Sequence, residues 1–451
     1  MATTQTSEVS LPEKISANRK VEQELAPEAR LGSLSAALAL FNYCTVGAAL
    51  LNLPFAIMKA GGFYYGFSSL AVVILIALIS ALALTWCAET YNAQSYQDLV
   101  GSILGPYGYL SIEVIMFLFT FFATMYIQIG IADQIQRVLQ DSMDDEFYCD
   151  HWWARRTFVT ALCLIFVILP FCLTMDLNEM RCTGYFAIAA IAYVVITVVL
   201  YSWDKAQHRQ LPEVPTKPES LTDFIIAIPG LINGCMTQFS VVTVYAELRH
   251  SSVGKFISIF TVAMLITFTA YVLVSYYAGR LFGTTISADF ILSFDSSSWL
   301  VRFAFVCYSL KLSVEYPVIQ YLGWTCIRSM LSRLVEVELN MLRVIRIASS
   351  LTWCSIVFVI TYLSRNLQKF APFIAVTLII IGYIVPGLCL LLTTRRLWKG
   401  GLMTQIKTIL FCFAGSFLII FGLFVSGIVI WTMSDTFTDA DTHSSVLSPC
   451  S

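Results

Sequence analysis

Apolar runs of about twenty residues recur along the whole chain, and no other feature constrains its fold as strongly. A helix needs ~20 mainly apolar residues to cross a ~30 Å hydrocarbon core. By that length eleven spans are predicted, at 32–57, 63–88, 108–135, 157–175, 181–202, 223–246, 256–280, 299–325, 343–363, 370–393 and 408–432. Of the 451 residues, 58% are hydrophobic and only 12% charged, where soluble domains carry about a quarter charged residues. The expected class is an all-α polytopic membrane protein embedded in the lipid bilayer. The third run is too long for one perpendicular span. Its end, Asp133-Gln134-Ile135-Gln136-Arg137, is expected to project beyond the membrane.

Composition also narrows function. The net charge is −2 and no basic block suggests nucleic acid. The first 30 residues are polar and mixed in charge, so no cleavable signal peptide is expected and the first span directs insertion. Eight of the 13 cysteines (Cys44, Cys163, Cys172, Cys235, Cys307, Cys354, Cys389, Cys412) lie in apolar runs, where Cys behaves as a small hydrophobe. No CxxC or Cys/His cluster suggests a metal site, and no cofactor is expected. All four histidines (His151, His208, His250, His443) fall in loops or the tail, which argues against a histidine proton relay but leaves a carboxylate carrier open.

Orientation follows from the Lys/Arg bias of the loops. With the N-terminus cytoplasmic, the inner loops after spans 6, 8 and 10 hold Arg249, Lys255, Arg328, Arg333, Arg343, Arg346, Arg395, Arg396, Lys399 and Lys407. The outer connections after spans 7 and 9 hold only Arg280, Arg302, Arg365 and Lys369, and the acidic loop around Asp141, Asp144, Asp145, Glu146 and Asp150 also falls outside. The expected division is a cytoplasmic tail (1–31), five spans (32–202), an outer loop (203–222), five spans (223–393), an inner loop with an eleventh span (394–432), and an outer or lumenal tail (433–451). The outer loop carries Pro212, Pro215 and Pro218 among charges, which is linker composition.

Two spans are interrupted. The first contains Val46-Gly47-Ala48-Ala49-Leu50-Leu51-Asn52-Leu53-Pro54, and the sixth runs from Ile228-Pro229-Gly230 through Asn233-Gly234-Cys235-Met236-Thr237-Gln238 to Ser240. Gly costs a helix ~1 kcal/mol and Pro ~3 kcal/mol relative to Ala. In lipid, freed backbone groups persist only where protein or a water-lined cavity satisfies them. Each span reads either as a helix broken toward a solute or as a kink or small-residue packing face. The two stand first in their respective five-span halves, and the order of Gly and Pro is reversed between them. Such paired breaks suit an inverted repeat with its solute site near the midplane. Half-helix N-termini suit a carboxylate and freed carbonyls suit an ammonium group. A zwitterionic amino acid needs both.

At these residues the sequence resembles the amino acid/auxin permease family, and within it the sodium-coupled neutral amino acid transporters. The resemblance rests on Val46 to Ala56 followed by Ala60-Gly61-Gly62, on Pro229 to Gly234 continuing to Val244-Tyr245-x-Glu247-Leu248, on Tyr316-Pro317, and on Ile384-Val385-Pro386-Gly387-Leu388-Cys389. It implies a leucine-transporter-like fold, a 5+5 inverted repeat plus one extra helix. It also implies a small neutral amino acid held by Val46, Gly47, Ala48, Ala49, Asn233, Gly234, Thr237 and Gln238. A cation, Na+ in this family, would sit between spans 1 and 8, near Asn42, Tyr43, Thr45, Lys311, Ser313 and Glu315. The chain departs from the pattern at Tyr43, where the family carries Asn, at Ala49 for a glycine, at Thr237-Gln238 for a Cys-His pair, and at Glu315 for a Ser or Thr.

Lys311 and Glu315 are four apart, hence on one helical face. A central charge in a span costs ~2.5–3.5 kcal/mol on insertion scales and marks a functional candidate. Three roles are open: Glu315 carries the coupling ion, Lys311 replaces a sodium ion with a fixed charge closed by Glu315, or the two form a structural ion pair. Glu113 is expected at the cytoplasmic edge, and Tyr126 and Gln128 are candidates to line the cavity. Thr45, Ser240 and Ser313 are candidate ligands, although such hydroxyls commonly bond back to their own helix. The expected function is secondary active transport of neutral amino acids, coupled to Na+ or H+, at the plasma or lysosomal membrane. An amino acid sensor is the competing class. No GxSxG, HExxH or paired-carboxylate motif in a span suggests an enzyme.

Overall fold

The computed structural model describes residues 48–143, 151–174, 179–208, 210–248, 252–295, 298–334, 339–364, 367–396 and 402–431, with Gly32 and Met433. It opens on a 3-10 turn, Ala48–Leu51, which ends at Asn52 and is followed by α1 (Leu53–Lys59). Pro54 falls in the first turn of α1, where its missing N–H breaks no helical bond. A two-glycine turn leads to α2 (Gly62–Tyr91). Gly61 and Gly62 have φ of +103° and +75°, a region that side chains with a Cβ rarely adopt. A Cβ on Gly62 would also lie 1.9 Å from the Pro215 carbonyl oxygen. The 210–219 connection therefore lies directly on this turn. Gly62→Ala should lower unfolding free energy by at least ~1–2 kcal/mol, the left-handed term alone. Thermal unfolding of purified protein reads this out, and an unshifted midpoint would detach the 210–219 connection from the turn.

The next element, α3 (Tyr96–Gln140), is two helices joined at Gly105 (φ 78°, ψ −170°) just before Pro106. This bend explains why the apolar run begins only near residue 108. The fourth span is α4 (Arg156–Cys163), a π-turn at Leu164–Ile168 and α5 (Leu169–Thr174). It is followed by α6 (Glu179–His208), α7 (Leu221–Asn233), α8 (Gln238–Glu247) and α9 (Val253–Phe282). Then come α10 (Trp299–Leu334), α11 (Leu339–Leu363), α12 (Ala371–Ile379), a π-turn at Ile380–Ile384, α13 (Val385–Arg396) and α14 (Leu402–Trp431). Ser95, Ser220 and Ser252 cap α3, α7 and α9 by accepting the N–H of Asp98, Asp223 and Lys255, as N-cap hydroxyls do.

Nine helical stretches among the described residues are long and apolar enough to cross a membrane. The α10 helix is not one of these stretches; Lys311, Glu315 and Gln320 interrupt its apolar sequence. Much of the first expected span lies outside the described residues. The chain is a multi-pass, all-helical integral membrane protein. Its most extensive helix contact joins α3 to α10, and α10 also packs along α6. Widened π-turns free backbone carbonyls, and here partners meet two of them. Tyr96 donates to the Ile381 carbonyl at 2.6 Å, and Ser80 donates to that of Gly382.

Candidate functional site

The two interruptions meet. Helix α7 stops at Asn233, residues 234–237 are non-helical, and α8 starts at Gln238. Gly230 of α7 and Gly234 just past its end lie against residues 52–56. A Cβ on Gly230 would be 2.8 Å from Ala56 Cβ and 3.1 Å from Asn52 Nδ2, and one on Gly234 would be 3.4 Å from Leu53 Cδ1. On the other side, Leu51 Cδ1 and Leu312 Cδ1 lie 3.0 and 3.2 Å from the Cβ position of Gly130. Small residues on α3 and α7 thus let the backbone at 49–56 run between them.

The polar groups divide into used and unused. Gln238 is clamped: its Oε1 accepts the Thr237 N–H at 2.9 Å, and its Nε2 donates to the Ala77 carbonyl at 3.2 Å. The Gly234 carbonyl accepts from Tyr271 Oη at 2.8 Å, and Asn233 Nδ2 donates to the Ala371 carbonyl at 3.3 Å. Three buried oxygens here have no hydrogen-bond partner: Asn52 Oδ1, Asn233 Oδ1 and Thr237 Oγ1. The first turn of α8 also lacks a side-chain cap at Thr237, which leaves N–H groups at a helix N-terminus. Ala49 is half-buried in the 3-10 turn that Ala48 begins. Val46 and Gly47 lie outside the described residues, as do Asn42, Tyr43 and Thr45.

Of the expected ion-coupling residues, the structure pairs two. Lys311 Nζ forms an ion pair with Glu315 Oε2, and the ammonium also lies 5.9 Å from the ring centre of Tyr308. Lys311 is 1% exposed and the Glu315 side chain 14%. Lys311 is therefore buried within the protein rather than reaching a membrane face. Ser313 Oγ bonds back to the Ser309 carbonyl, and Ser240 Oγ to that of Thr237.

The structure adds detail at three expected positions. Asp133, Gln134 and Gln136, at the end of the third apolar run, are buried within the protein. Glu113 is 1% exposed and sits among Tyr109, Ser329 and Arg333, the last a residue of an expected cytoplasmic loop. Gln128 lines a cleft of about 300 Å³, mouth included, together with Arg156, Thr157, Thr160 and Phe358.

Sequence reading missed two groups. Tyr271 is one, because an aromatic residue inside a span gives no sign that its hydroxyl meets a helix break. The other is a polar cluster at the end of the bundle where α3 ends and α4 begins. There Arg156 Nη1 lies 2.6 Å from Asp133 Oδ1. Gln134 Nε2 donates at 2.6 Å to Asp289 Oδ2, in the segment linking α9 to α10. Burial, and after it the charge of Asp133, holds the Asp289 carboxyl well above the ordinary carboxylate range.

A helical membrane bundle in which the break between α7 and α8 lies against the start of α1 defines the class, a multi-pass membrane protein with a buried polar centre. The sequence match fixes the family: residues 31–429 fit the model described as "Transmembrane amino acid transporter protein", and the chain belongs to that family. It is 26% identical over 373 residues to sodium-coupled neutral amino acid transporter 7 of Homo sapiens, covering 80% of this chain and 79% of that protein. The Danio rerio protein of the same name is 23% identical over 366 residues, covering 80% and 78%. Solute carrier family 38 member 8 of Homo sapiens is 26% identical over 300 residues, covering 65% and 68%. Membership supports an amino acid as substrate and a transporter rather than an enzyme.

Proposed function

We propose that this chain is a secondary active transporter of small neutral amino acids that works by alternating access. The reading takes eleven spans, with the first and α10 added to the nine apolar stretches, arranged as two inverted five-span repeats plus α14. One observation carries it: Gly234 at the second interruption lies against Leu53 at the start of α1, and Gly230 of α7 against Asn52 and Ala56, with unsatisfied oxygens on Asn52, Asn233 and Thr237. Unpaired buried polar groups call for a partner, and paired breaks at the head of two repeats are where transporters hold solute. The carboxylate would meet the N–H groups at the start of α8, and the ammonium the freed oxygens.

Sodium is the coupling ion named for the relatives, and it is the first reading here. A second reading, proton coupling or independence of any cation, draws on the Lys311–Glu315 pair. A buried ammonium closed by a carboxylate places a fixed positive charge in span 8, where the resemblance puts the cation. Residence in the plasma or the lysosomal membrane fits both readings.

Uptake of an amino acid panel into proteoliposomes, with sodium and pH gradients imposed independently, tests this. The expected result is saturable accumulation of neutral amino acids driven by one of the two gradients. Specific binding without flux under any gradient would overturn transport and favour a sensor.

A further inference from the structure

We propose that Asp289 is a proton-binding site, and that the proton it takes up lets residues 286–294 close over the end of the bundle formed by α3 and α4. This goes beyond the transport reading and holds whichever ion drives uptake.

The cluster holds two carboxylates and one guanidinium. Arg156 is in contact with Asp133, which leaves Asp289 facing the neutral amide of Gln134. Asp289 is 3% exposed and Gln134 fully buried. A carboxylate so placed without its own cation is strongly disfavoured relative to the neutral acid.

Hydrogen bonding points the same way. Asp289 Oδ1 and Gln134 Oε1 are both buried and both lack a partner. Both are acceptors, so the missing element is a donor. A proton on Asp289 supplies it. A metal cation fits less well: Arg156 would repel it, and no group of three or more His, Cys, Asp or Glu able to hold a metal occurs among the described residues.

Other groups around Asp289 do not change this balance. Tyr126 of α3 and Tyr308 of α10 lie within its electrostatic reach but are neutral phenols near pH 7. The N–H groups of Ile291 and Leu292 approach the carboxyl and favour its ionised form, but less than burial and the charge of Asp133 disfavour it, and neither makes a well-formed cap on its side chain.

Closure follows from the topology. Residues 290–293 form a short turn that packs on both α1 and α3. On the expected orientation this is the outer or lumenal end. Swinging this segment away would return Asp289 to water, where a carboxyl titrates near ~3.9. The closed form holds it higher, so the closed form binds more protons. Closure is fully favoured below that ordinary value and is lost as pH rises through the raised one. Between the ordinary and the raised value each pH unit favours opening about tenfold, for one proton, and above the raised value the dependence levels off.

Hydrogen exchange of the full-length protein in micelles, between pH 5 and 8 and corrected for intrinsic rates, tests this without requiring transport. Peptides covering 284–295 of the wild type should lose protection on the order of tenfold per pH unit as pH rises toward the raised value, and level off above it. In Asp289→Asn the amide donates as the protonated acid would, so protection should be high and flat with pH. Gln134→Leu removes a bond to the ionised form and should move the wild-type midpoint to higher pH. A pH-independent wild type would overturn the proposal, and so would an Asp289→Asn protein that keeps the wild-type profile. If Asp289→Asn fails to fold, as judged by lost protection in α9, the wild-type profile and the direction of the Gln134→Leu shift decide. Neither outcome depends on uptake, so a failure here leaves the transport reading standing.

Discussion

Glu315→Gln is expected to destabilise the protein by about 3–5 kcal/mol, the cost of removing one partner from a buried ion pair. The effect is large because of what stays behind. Lys311 is 1% exposed, so its ammonium would be left buried without its counter-ion. The double variant Lys311→Met/Glu315→Gln should recover most of the loss, since replacing a whole buried pair by groups of similar volume is often neutral or better. Thermal unfolding of the two single variants and the double variant gives the coupling energy; additive losses would mean the pair is not a unit. Ion dependence then separates the roles. If Glu315 or Lys311 takes part in coupling, the sodium and pH profile of uptake changes in Glu315→Gln after correction for folded protein. An unchanged profile leaves only the structural pairing.

This pair was legible in the sequence because i,i+4 spacing on a helix is local information. The interruptions at Asn52 and at 234–237 were legible for the same reason: Gly, Pro and Asn inside an apolar run act on their own helix. Contacts made across long sequence separations were not legible. Asp133 and Gln134 look like the exposed end of a long helix until the segment carrying Asp289, about 155 residues later, folds onto them. Arg156 gives the same lesson, because its place after an acidic loop reads as solvent-facing. The clamping of Gln238 by Ala77 and Thr237 also escaped sequence reading. A residue expected to touch solute instead spends both ends of its amide on backbone, which leaves Thr237 Oγ1 and Asn233 Oδ1 as the free polar atoms of that break.

Gly234→Leu should abolish saturable uptake, on the order of a tenfold loss or more, while leaving insertion intact. The backbone does not require glycine there: φ is −70° and ψ −18°, open to any residue. Space is the constraint. A Cβ at Gly234 would rest 3.4 Å from both Leu53 Cδ1 and Tyr271 Cε2, an ordinary contact. The three further carbons of leucine would have to displace Leu53 at the first break or Tyr271, whose hydroxyl holds the Gly234 carbonyl. Overpacking of this kind costs ~1–3 kcal/mol, and in this position it also forces apart the two segments proposed to hold the solute. Gly234→Ala should therefore retain most uptake. Gly230→Ala should not, because its Cβ would lie 2.8 Å from Ala56 Cβ, inside normal contact. Uptake normalised to surface protein tests the order Gly234→Ala above Gly230→Ala and Gly234→Leu. Leucine tolerated at 234 with normal uptake would remove the second interruption from the site, and with it the reason for reading the two breaks as halves of one binding centre.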